Sequence, residues 1–249
     1  RPEDLVSIST SIDYPDFDES DVDLEGETSS IPEVQAIFNF MRQIVPKYDS
    51  RRYLWLSLAS YIKGLNNDEK FHIWTGVGGN GKSMLLELIE LALGDYCFKM
   101  PIALLTENQA HAWQATPKLS MSRNRRLGSF QEPDEGTRIN VGLMKELSGN
   151  DKLFVRGLYQ EGTIMKPMFS LILLCNHKPR VPVEDEGTWR RLVIIDFTSR
   201  FVDNPSGPNE FPKDPYLAQK FPEWAPYFLA LLTMWFRIYK KEGLKQPKE

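Results

Sequence analysis

One stretch of sequence decides the fold class: Gly76-Val77-Gly78-Gly79-Asn80-Gly81-Lys82-Ser83, which fits the pattern G-x-x-x-x-G-K-[ST]. Glycines in such a loop let the backbone pass close to phosphate groups and point its N–H groups at their oxygens. A helix that starts at Lys82 would add the partial positive charge of its N-terminus. We expect Lys82 to reach the β- and γ-phosphates and Ser83 to bind Mg²⁺ through its hydroxyl. The alternative is a glycine-rich turn that merely precedes a helix.

The residues on either side of this loop have the composition that the motif requires. The run Phe71–Thr75 is a short apolar strand that ends directly before Gly76. The run Met84–Leu93 is apolar nearly all round and stops at Gly94, which predicts a buried helix. The order strand, loop, helix therefore makes residues 76–84, with Met84 as the last, the predicted nucleotide-binding segment.

Further strands and helices follow the loop in an alternating α/β order. Two nearly continuous apolar runs predict fully buried parallel strands, Phe169–Cys175 and Leu192–Phe197. The run Leu127–Gln131 is a weaker strand candidate. The remaining predictions are a short helix over Val141–Leu147 and a hairpin made of Phe154–Tyr159 and Thr163–Met168.

The two ends of the chain differ from this α/β segment. Residues 31–66 have apolar positions at helical spacing and predict two amphipathic helices, and residues 223–241 predict a final helix after a Pro-rich loop over 201–222. Residues 1–28 hold ten acidic residues and one basic residue, a charge of −9, so the other 221 residues carry +5 of the overall −4. We expect residues 1–30 to be a flexible linker, or else an arm that docks on a neighbouring subunit.

Polar residues at the ends of predicted strands are the candidate catalytic groups. A phosphate-binding loop of this kind works with a carboxylate that holds the metal or orients the attacking water, and Glu132 is the candidate because it follows Leu127–Gln131. Asp134 and Glu135 are its nearest rivals. Asn176 follows the most apolar strand, at the edge of a parallel sheet where ligands bind.

Cations that have no role in the loop fall into three groups. Arg190 and Arg191 precede the last predicted strand; they are either a solvated pair or a source of one arginine that reaches a γ-phosphate across a subunit boundary. The predicted hairpin carries candidate groups for gripping a nucleic acid backbone and base, with an ordinary surface hairpin as the alternative: Lys152, Arg156, Tyr159 and Lys166. The third group either faces a neighbouring subunit's nucleotide or is plain solvated charge: Lys118, Arg123, Arg125 and Arg126.

Composition excludes several other classes of protein. Hydrophobic residues make up 41% of the 249 residues and charged residues 26%, so a sizeable core can form. No run of 18 apolar residues is present, so we expect no membrane span. The two cysteines and three histidines lack disulfide or metal-site spacing. The chain begins with Arg1 and has no signal stretch, so we interpret it as a piece of a longer protein.

Five ordered motifs then resemble those of the superfamily 3 helicases, most closely the primase-helicases of large DNA viruses, phages and plasmids. The motifs are GVGGNGKS, SFQEP, KELSGNDKLFVRGLY, LLCNHKPRVP and GTWRRLVIIDF, and the resemblance covers about residues 31–245. By resemblance, Gly76–Ser83 is Walker A, Glu132 the Walker B glutamate that shares Mg²⁺ with Ser83, Asn176 sensor 1, and Arg190 or Arg191 the arginine finger. The stretch Asp151–Lys166 is similar to the motif that forms a hairpin lining the central pore. Gln131 stands where many members have a second acid.

The resemblance implies an α/β fold of the AAA+ P-loop type, with three layers around a central parallel sheet. A helical collar over 31–68 would precede an ATPase core over 69–200, and residues 201–249 would hold the C-terminal helix and lead into a missing region. It further implies ATP and Mg²⁺ as cofactors, single-stranded or forked DNA as partner, a homohexameric ring that moves 3′→5′, and a primase domain in the full-length chain. Such a protein is intracellular, in the host cytoplasm or at a replication site if viral. The competing hypotheses are an ATP-controlled DNA-binding switch or loader and a P-loop small-molecule kinase.

Overall fold

A computed structural model describes residues 8–106, 117–133, 136, 138–159, 161–181 and 185–246. The α-helices are α1 Pro32–Ile44, α2 Tyr48–Ser60, α3 Lys82–Leu93, α4 Ala103–Thr106, α5 Pro117–Ser120, α6 Val141–Ser148, α7 Glu186–Trp189 and α8 Leu217–Glu242. The strands are β1 Val22–Asp23, β2 Thr28–Ser29, β3 Phe71–Thr75, β4 Cys97–Lys99, β5 Leu127–Gln131, β6 Leu153–Arg156, β7 Gly162–Met165, β8 Ser170–Cys175, β9 Leu192–Asp196, β10 Arg200–Val202 and β11 Glu210–Pro212.

These elements form two compact units. The first, called the helical unit here, consists of residues 1–62, 77–96 and 197–249. The second, called the sheet unit, consists of residues 63–76 and 97–196. The helix α3, which follows the glycine-rich loop, belongs to the helical unit together with α1, α2 and α8.

The sheet unit is built on a five-stranded parallel sheet with the order β4-β5-β8-β3-β9. Every residue of β3 and of β8 is buried, as expected for central parallel strands whose two faces are both covered. One apolar cluster, which includes Phe71, Phe130 and Leu173, fills this unit. The predicted mixed α/β fold with a central parallel sheet and a C-terminal helix is therefore confirmed.

The helical unit is held together by aromatic packing along α8. Trp55 of α2 stacks on Trp235 with ring centroids 6.0 Å apart and lies 5.6 Å from the ring of Phe228. Phe40 of α1 lies 6.2 Å from both Phe221 and Trp224. Because α8 packs on α1, α2 and α3, this one helix connects the two N-terminal helices to the helix after the loop.

The prediction of a loop over 201–222 is wrong. Residues 200–202 and 210–212 form the parallel pair β10–β11, and α8 begins at Leu217 rather than at 223. Three-residue strands are too short to leave a periodic pattern. Pro222 lies inside α8, and because proline is unfavourable in a helix interior, the sequence did not predict a helix that begins before it. Phe221, fully buried against Phe40, shows that tertiary packing sustains the helix there.

The expectation of a flexible linker does not hold for residues 19–29. A short 3-10 turn at Glu19–Asp21 and the hairpin β1–β2 are folded, and acidic side chains of this stretch pair with cations of the helical unit. Glu27 is 3% exposed, and its carboxylate accepts hydrogen bonds from Arg51 at 2.7 to 2.9 Å and from the Trp55 indole at 3.2 Å. These ion pairs could not be predicted from the sequence, because the partner of each acidic residue lies far away along the chain.

No helix among the described residues is long and apolar enough to cross a membrane.

Candidate nucleotide and nucleic-acid sites

Two glycines of the glycine-rich loop adopt left-handed backbone conformations. Gly79 and Gly81 have φ angles of 77° and 87°, which side-chain-bearing residues rarely adopt. A Cβ on Gly81 would lie 2.4 Å from Ile44 Cγ2, so this position requires glycine for space as well. Nothing lies within 4 Å of a Cβ placed on Gly78, so the loop is open at that residue.

Two side chains of the motif face inward and brace the loop. Asn80 is 3% exposed and donates through its amide to Phe197 O at 3.2 Å. Lys82 is 5% exposed, and its Nζ lies 3.1 Å from Asn80 Oδ1. The backbone N–H of Phe201 in β10 donates to Gly79 O at 2.8 Å. The segment that sequence alone predicted as a loop therefore helps to fix the shape of the motif.

The start of α3 combines a glycine N-cap with a hydrogen bond from its first amide to a side chain of the loop. Gly81 is the N-cap residue and makes no side-chain cap hydrogen bond, but the N–H of Lys82, the first residue of α3, donates to Asn80 Oδ1 at 3.4 Å. Ser83 is exposed in the first turn, Val77 is 69% exposed, and Met84 is half-buried. Backbone amides at a helix N-terminus, a lysine and a hydroxyl are the groups that suit a magnesium-bound triphosphate.

In the sheet unit, three residues of the predicted site follow adjacent strand ends. Thr75 of β3 pairs in register with Cys175 of β8, so Gly76 and Asn176 leave the sheet side by side. Gln131 of β5 pairs with Leu174, so Glu132 leaves next to Asn176. Neighbouring strands are about 4.8 Å apart. The structure therefore brings Gly76, Asn176 and Glu132 to one edge, which we call the carboxyl edge.

Glu132 has a backbone conformation that signals constraint. Its φ angle is 54°, which is uncommon for a residue with a side chain, and its N–H donates to Leu174 O at 3.0 Å. Its side chain is exposed, as is that of Asn176. Strain of this kind concentrates at functional sites. Gln131 accepts a hydrogen bond from Lys99 at 3.1 Å, and the rivals Asp134 and Glu135 lie outside the described residues.

The structure places both candidate arginines at the opposite edge of the same sheet. Phe71 pairs in register with Leu192, and the Phe71 N–H donates to Arg191 O at 2.8 Å. Arg190 and Arg191 thus stand where β3 and β9 begin, which we call the amino edge. The five residues of β3 span about 17 Å at roughly 3.3 Å each.

The two arginines have different surroundings. The Arg190 side chain is 59% exposed, whereas that of Arg191 is 12% exposed. Both contact the same carboxylate, Glu69 Oε2, at 2.9 Å, and Arg191 also donates to Gly187 O at 2.8 Å. Sequence reasoning missed Glu69, because only the fold brings residue 69 beside residue 190.

The hairpin β6–β7, which precedes β8 in the sequence, carries several exposed side chains. Tyr159 near its tip is 96% exposed with a φ angle of 56°, and Arg156 is exposed beside Gly162. Lys152 and Lys166 are exposed at its open end, because Leu153 pairs with Met165. Sequence reasoning missed the exposed apolar residues of this hairpin: Phe154, Leu158 and Ile164. Their signal was the alternation with the buried Leu153, Val155 and Met165.

The third basic group is divided by the fold. Arg126 extends its guanidinium over Gly64, where an added Cβ would overlap it. Arg123 donates to Thr163 Oγ1 on β7 at 3.5 Å. The backbone N–H of Arg125 donates to Ser122 O at 3.1 Å. The side chain of Lys118 lies outside the described part of the chain.

The comparisons with known proteins agree with the class that these features define, a mixed α/β protein with a central parallel sheet and a glycine-rich loop at a strand end. A family model described as "Family of unknown function (DUF5906)" matches residues 74–191. Two solved structures of the NrS-1 C-terminal region share the fold, with TM-scores of 0.62 and 0.60 at 17% and 15% identity; they cover 78% and 84% of this chain and 44% and 45% of theirs.

Curated relatives come from large DNA viruses. The chain is 36% identical over 257 residues to "Putative helicase L207/L206" of Acanthamoeba polyphaga mimivirus, which covers 99% of the chain and 26% of that protein. It is 31% identical to "Putative helicase 022R" of Frog virus 3 (83% and 22%) and 27% identical to "Putative primase C962R" of African swine fever virus (88% and 23%). The chain is therefore homologous to a segment of the helicase- and primase-named proteins of large DNA viruses, as the resemblance predicted. It spans about a quarter of the length of these relatives.

Proposed function

We propose that this chain is the ATP-driven motor segment of a replicative DNA helicase of superfamily 3, with the AAA+ type of P-loop fold. The observation that carries the proposal is the carboxyl edge, where Glu132 and Asn176 stand beside Gly76, the residue at which the glycine-rich motif begins. The names of the viral relatives support a role in replication. Because the chain spans only part of those relatives, a primase domain elsewhere in the full-length protein belongs to the proposal.

The chemical roles follow from the side chains. The loop amides and Lys82 bind the phosphates of ATP. Ser83, through its hydroxyl, and Glu132 are the residues that would hold Mg²⁺. When bound, the ion neutralises charge that develops on the transferred phosphoryl group. Glu132 orients the attacking water and accepts its proton, and Asn176 hydrogen-bonds to the water or the γ-phosphate.

Arg190 completes the site of a neighbouring subunit in this proposal. The amino edge is separated from the same chain's carboxyl edge by the length of β3, so Arg190 is directed away from Asn176 and Glu132 of its own chain. Its exposure makes it the finger, while Arg191 is the less exposed of the two and is tied to a backbone carbonyl. A ring is the assembly that supplies such an arginine to every site, and we propose a homohexamer.

The hairpin β6–β7 is the proposed grip on single-stranded DNA. Arg156 and the two lysines meet phosphates, and Tyr159 packs on a base or sugar, so the grip tolerates any sequence. The hairpin runs directly into β8, at whose other end Asn176 lies. A change at the γ-phosphate therefore has a short rigid path to the DNA.

The experiment that tests the proposal is strand displacement on forked DNA with either a 3′ or a 5′ single-stranded tail. We expect ATP-dependent unwinding that requires the 3′ tail, and light scattering should give six copies with ATP analogue, Mg²⁺ and DNA. Lys82→Ala should reduce turnover by roughly 100-fold or more, since it removes a cation that stabilises the transferring group. Lys240→Ala, an exposed lysine of α8, is the matched control.

Two results would decide against the motor. DNA-stimulated ATP hydrolysis without displacement of either fork would indicate a switch or loader. A phosphorylated small-molecule product from a monomer would indicate a kinase.

A further inference from the structure

One carboxylate at the amino edge is shared by two adjacent arginines. Glu69 Oε2 lies 2.9 Å from a terminal nitrogen of Arg190 and 2.9 Å from one of Arg191. Lys70, the next residue, donates through its Nζ to Arg190 O at 2.6 Å. The backbone and the side chain of Arg190 are therefore both held by the segment that precedes β3.

The backbone around Glu69 is fixed by local hydrogen bonds. Glu69 has a φ angle of 52°, and its N–H donates to Asn66 O at 3.0 Å. The buried Asn66 side chain contacts both the N–H and the carbonyl of Lys70, at 3.1 and 2.8 Å. Asn150 donates to Asn66 O at 2.8 Å. A left-handed conformation in a side-chain-bearing residue persists only where its surroundings impose it, so the carboxylate has a defined position.

Electrostatics gives this position a consequence. Arg190 and Arg191 are adjacent cations, and their repulsion would turn the more exposed guanidinium away from its neighbour. A carboxylate between them offsets that repulsion. Arg191 is 12% exposed and has a second anchor at Gly187 O, so Arg190 is the side chain whose direction depends most on Glu69.

We propose that Glu69 is a positioning residue that aims Arg190 at the nucleotide phosphates of the adjacent subunit. This rests on the proposed function, in which Arg190 acts across a subunit boundary. Glu69 itself does not touch the nucleotide; it limits the conformations of a long, flexible side chain before the neighbour's ATP arrives. Misplacement of a catalytic group by about 1 Å costs on the order of 100-fold in rate, so positioning has a measurable value.

The test is steady-state ATP hydrolysis by the DNA-bound assembly of the Glu69→Gln variant. The amide keeps the shape and can accept a hydrogen bond but removes the charge. We expect kcat to fall roughly 10- to 100-fold while KM for ATP stays within about twofold, because the finger acts on the transition state. Glu69→Asp, which restores the carboxylate, should recover part of kcat. Glu19→Gln, which breaks an exposed glutamate–arginine pair with Arg237 in the helical unit, is the matched control.

A double variant separates positioning from a structural role. If Glu69 acts only through Arg190, Glu69→Gln should have no further effect on kcat in an Arg190→Ala background. An additional loss in that background, or a lowered melting temperature together with failed assembly, would overturn the proposal. An unchanged kcat for Glu69→Gln would do the same.

The proposed function and this inference fail in different ways. Absence of ATP hydrolysis by the unaltered chain contradicts the proposed function and removes the basis of this inference. A normal rate for Arg190→Ala contradicts the trans arginine, and with it this inference, but leaves the motor standing. Loss of activity in Arg190→Ala with normal activity in Glu69→Gln contradicts the positioning role alone.

Discussion

The two edges of the parallel sheet carry opposite chemistry. At the carboxyl edge, the residues that follow β3, β5 and β8 are a glycine, an acid and an amide: Gly76, Glu132 and Asn176. At the amino edge, the residues that directly precede β3, β5 and β9 are all cations: Lys70, Arg126 and Arg191. Parallel strands make this separation possible, because all their carboxyl ends lie on one side.

The difference suggests a division of labour between the edges. In the proposed function, the carboxyl edge has the groups that a chain uses on its own nucleotide, where an acid and an amide serve the metal and the attacking water. In the same proposal, the cations of the amino edge meet the phosphates of another copy. The hairpin β6–β7 also joins β8 at this edge. Each edge can therefore be tested by changes that leave the other intact.

The largest expected effect is at the amino edge. Arg190→Ala should lower ATP turnover by roughly 10³- to 10⁵-fold, the range observed for inserted arginines in phosphoryl transfer. Mixing Arg190→Ala subunits with Lys82→Ala subunits should restore part of the activity, since each supplies what the other lacks. Steady-state ATPase assays of mixed assemblies measure this. Arg237→Ala, also an exposed arginine paired with a glutamate, is the control. A mixture no more active than its separate components would break the division between edges.

The next effect is at the carboxyl edge. Glu132→Gln should reduce hydrolysis roughly 10²- to 10⁴-fold, because the amide cannot accept a proton from water. ATP binding, measured with a fluorescent analogue, should remain within a few-fold of normal. Unlike Arg190→Ala, this variant should not be rescued by subunits that lack Lys82. Glu223→Gln, at an exposed site on α8, should behave as the unaltered protein. Near-normal turnover in Glu132→Gln would transfer its role to Asp134 or Glu135.

A smaller effect concerns the hairpin that leads to the amino edge. Arg156→Ala should weaken single-stranded DNA binding and reduce the slope of log affinity against log salt by about 0.7, the value for one lost phosphate contact. Tyr159→Ala should cost about 1–3 kcal/mol of binding without changing that slope, because stacking releases no counterion. Salt titrations followed by fluorescence anisotropy distinguish the two. Equal slopes in both variants would mean that Arg156 does not contact phosphate.

The smallest effect concerns the strand between the edges. His72 of β3 is 2% exposed, and burial, with a further contribution from the charge of Lys70, lowers its pKa to about 3. In the unfolded chain the pKa of a histidine is about 6.5, so between about pH 6.5 and pH 3 the unfolded state holds one proton more than the folded state. The free energy of unfolding should therefore fall as pH is lowered below about 6.5, by about 2 kcal/mol at pH 5.

Urea unfolding at pH 7 and pH 5 tests this for His72→Gln. The difference in unfolding free energy between the two pH values should shrink in this variant. The exposed His177→Gln variant should retain the full difference. An unaltered difference in His72→Gln would show that another group dominates the acid response of the sheet.

Much of the fold could be predicted from local patterns. β3 and β5 have the bounds that the apolar runs indicated, and β8, β9 and α6 differ by one residue at one end. The observed hairpin strands, Leu153–Arg156 and Gly162–Met165, each begin one residue before the predicted strands and end three residues before them. These elements were predictable because burial of a whole strand leaves a continuous apolar run. The pair β10–β11 and the folded part of the acidic stretch were not, because their partners are distant in sequence.

The candidate site divides along the same line. The sequence by itself determined the glycine-rich motif, the acid and amide that follow two strands, and the alternation of the hairpin, since each is a property of neighbouring residues. Only the tertiary structure decided that Arg190 is exposed while Arg191 is nearly covered, and that Glu69, 121 positions before Arg190, holds both. Adjacent arginines look alike in a sequence; they differ once a parallel sheet sets a carboxylate beside one end of its strands.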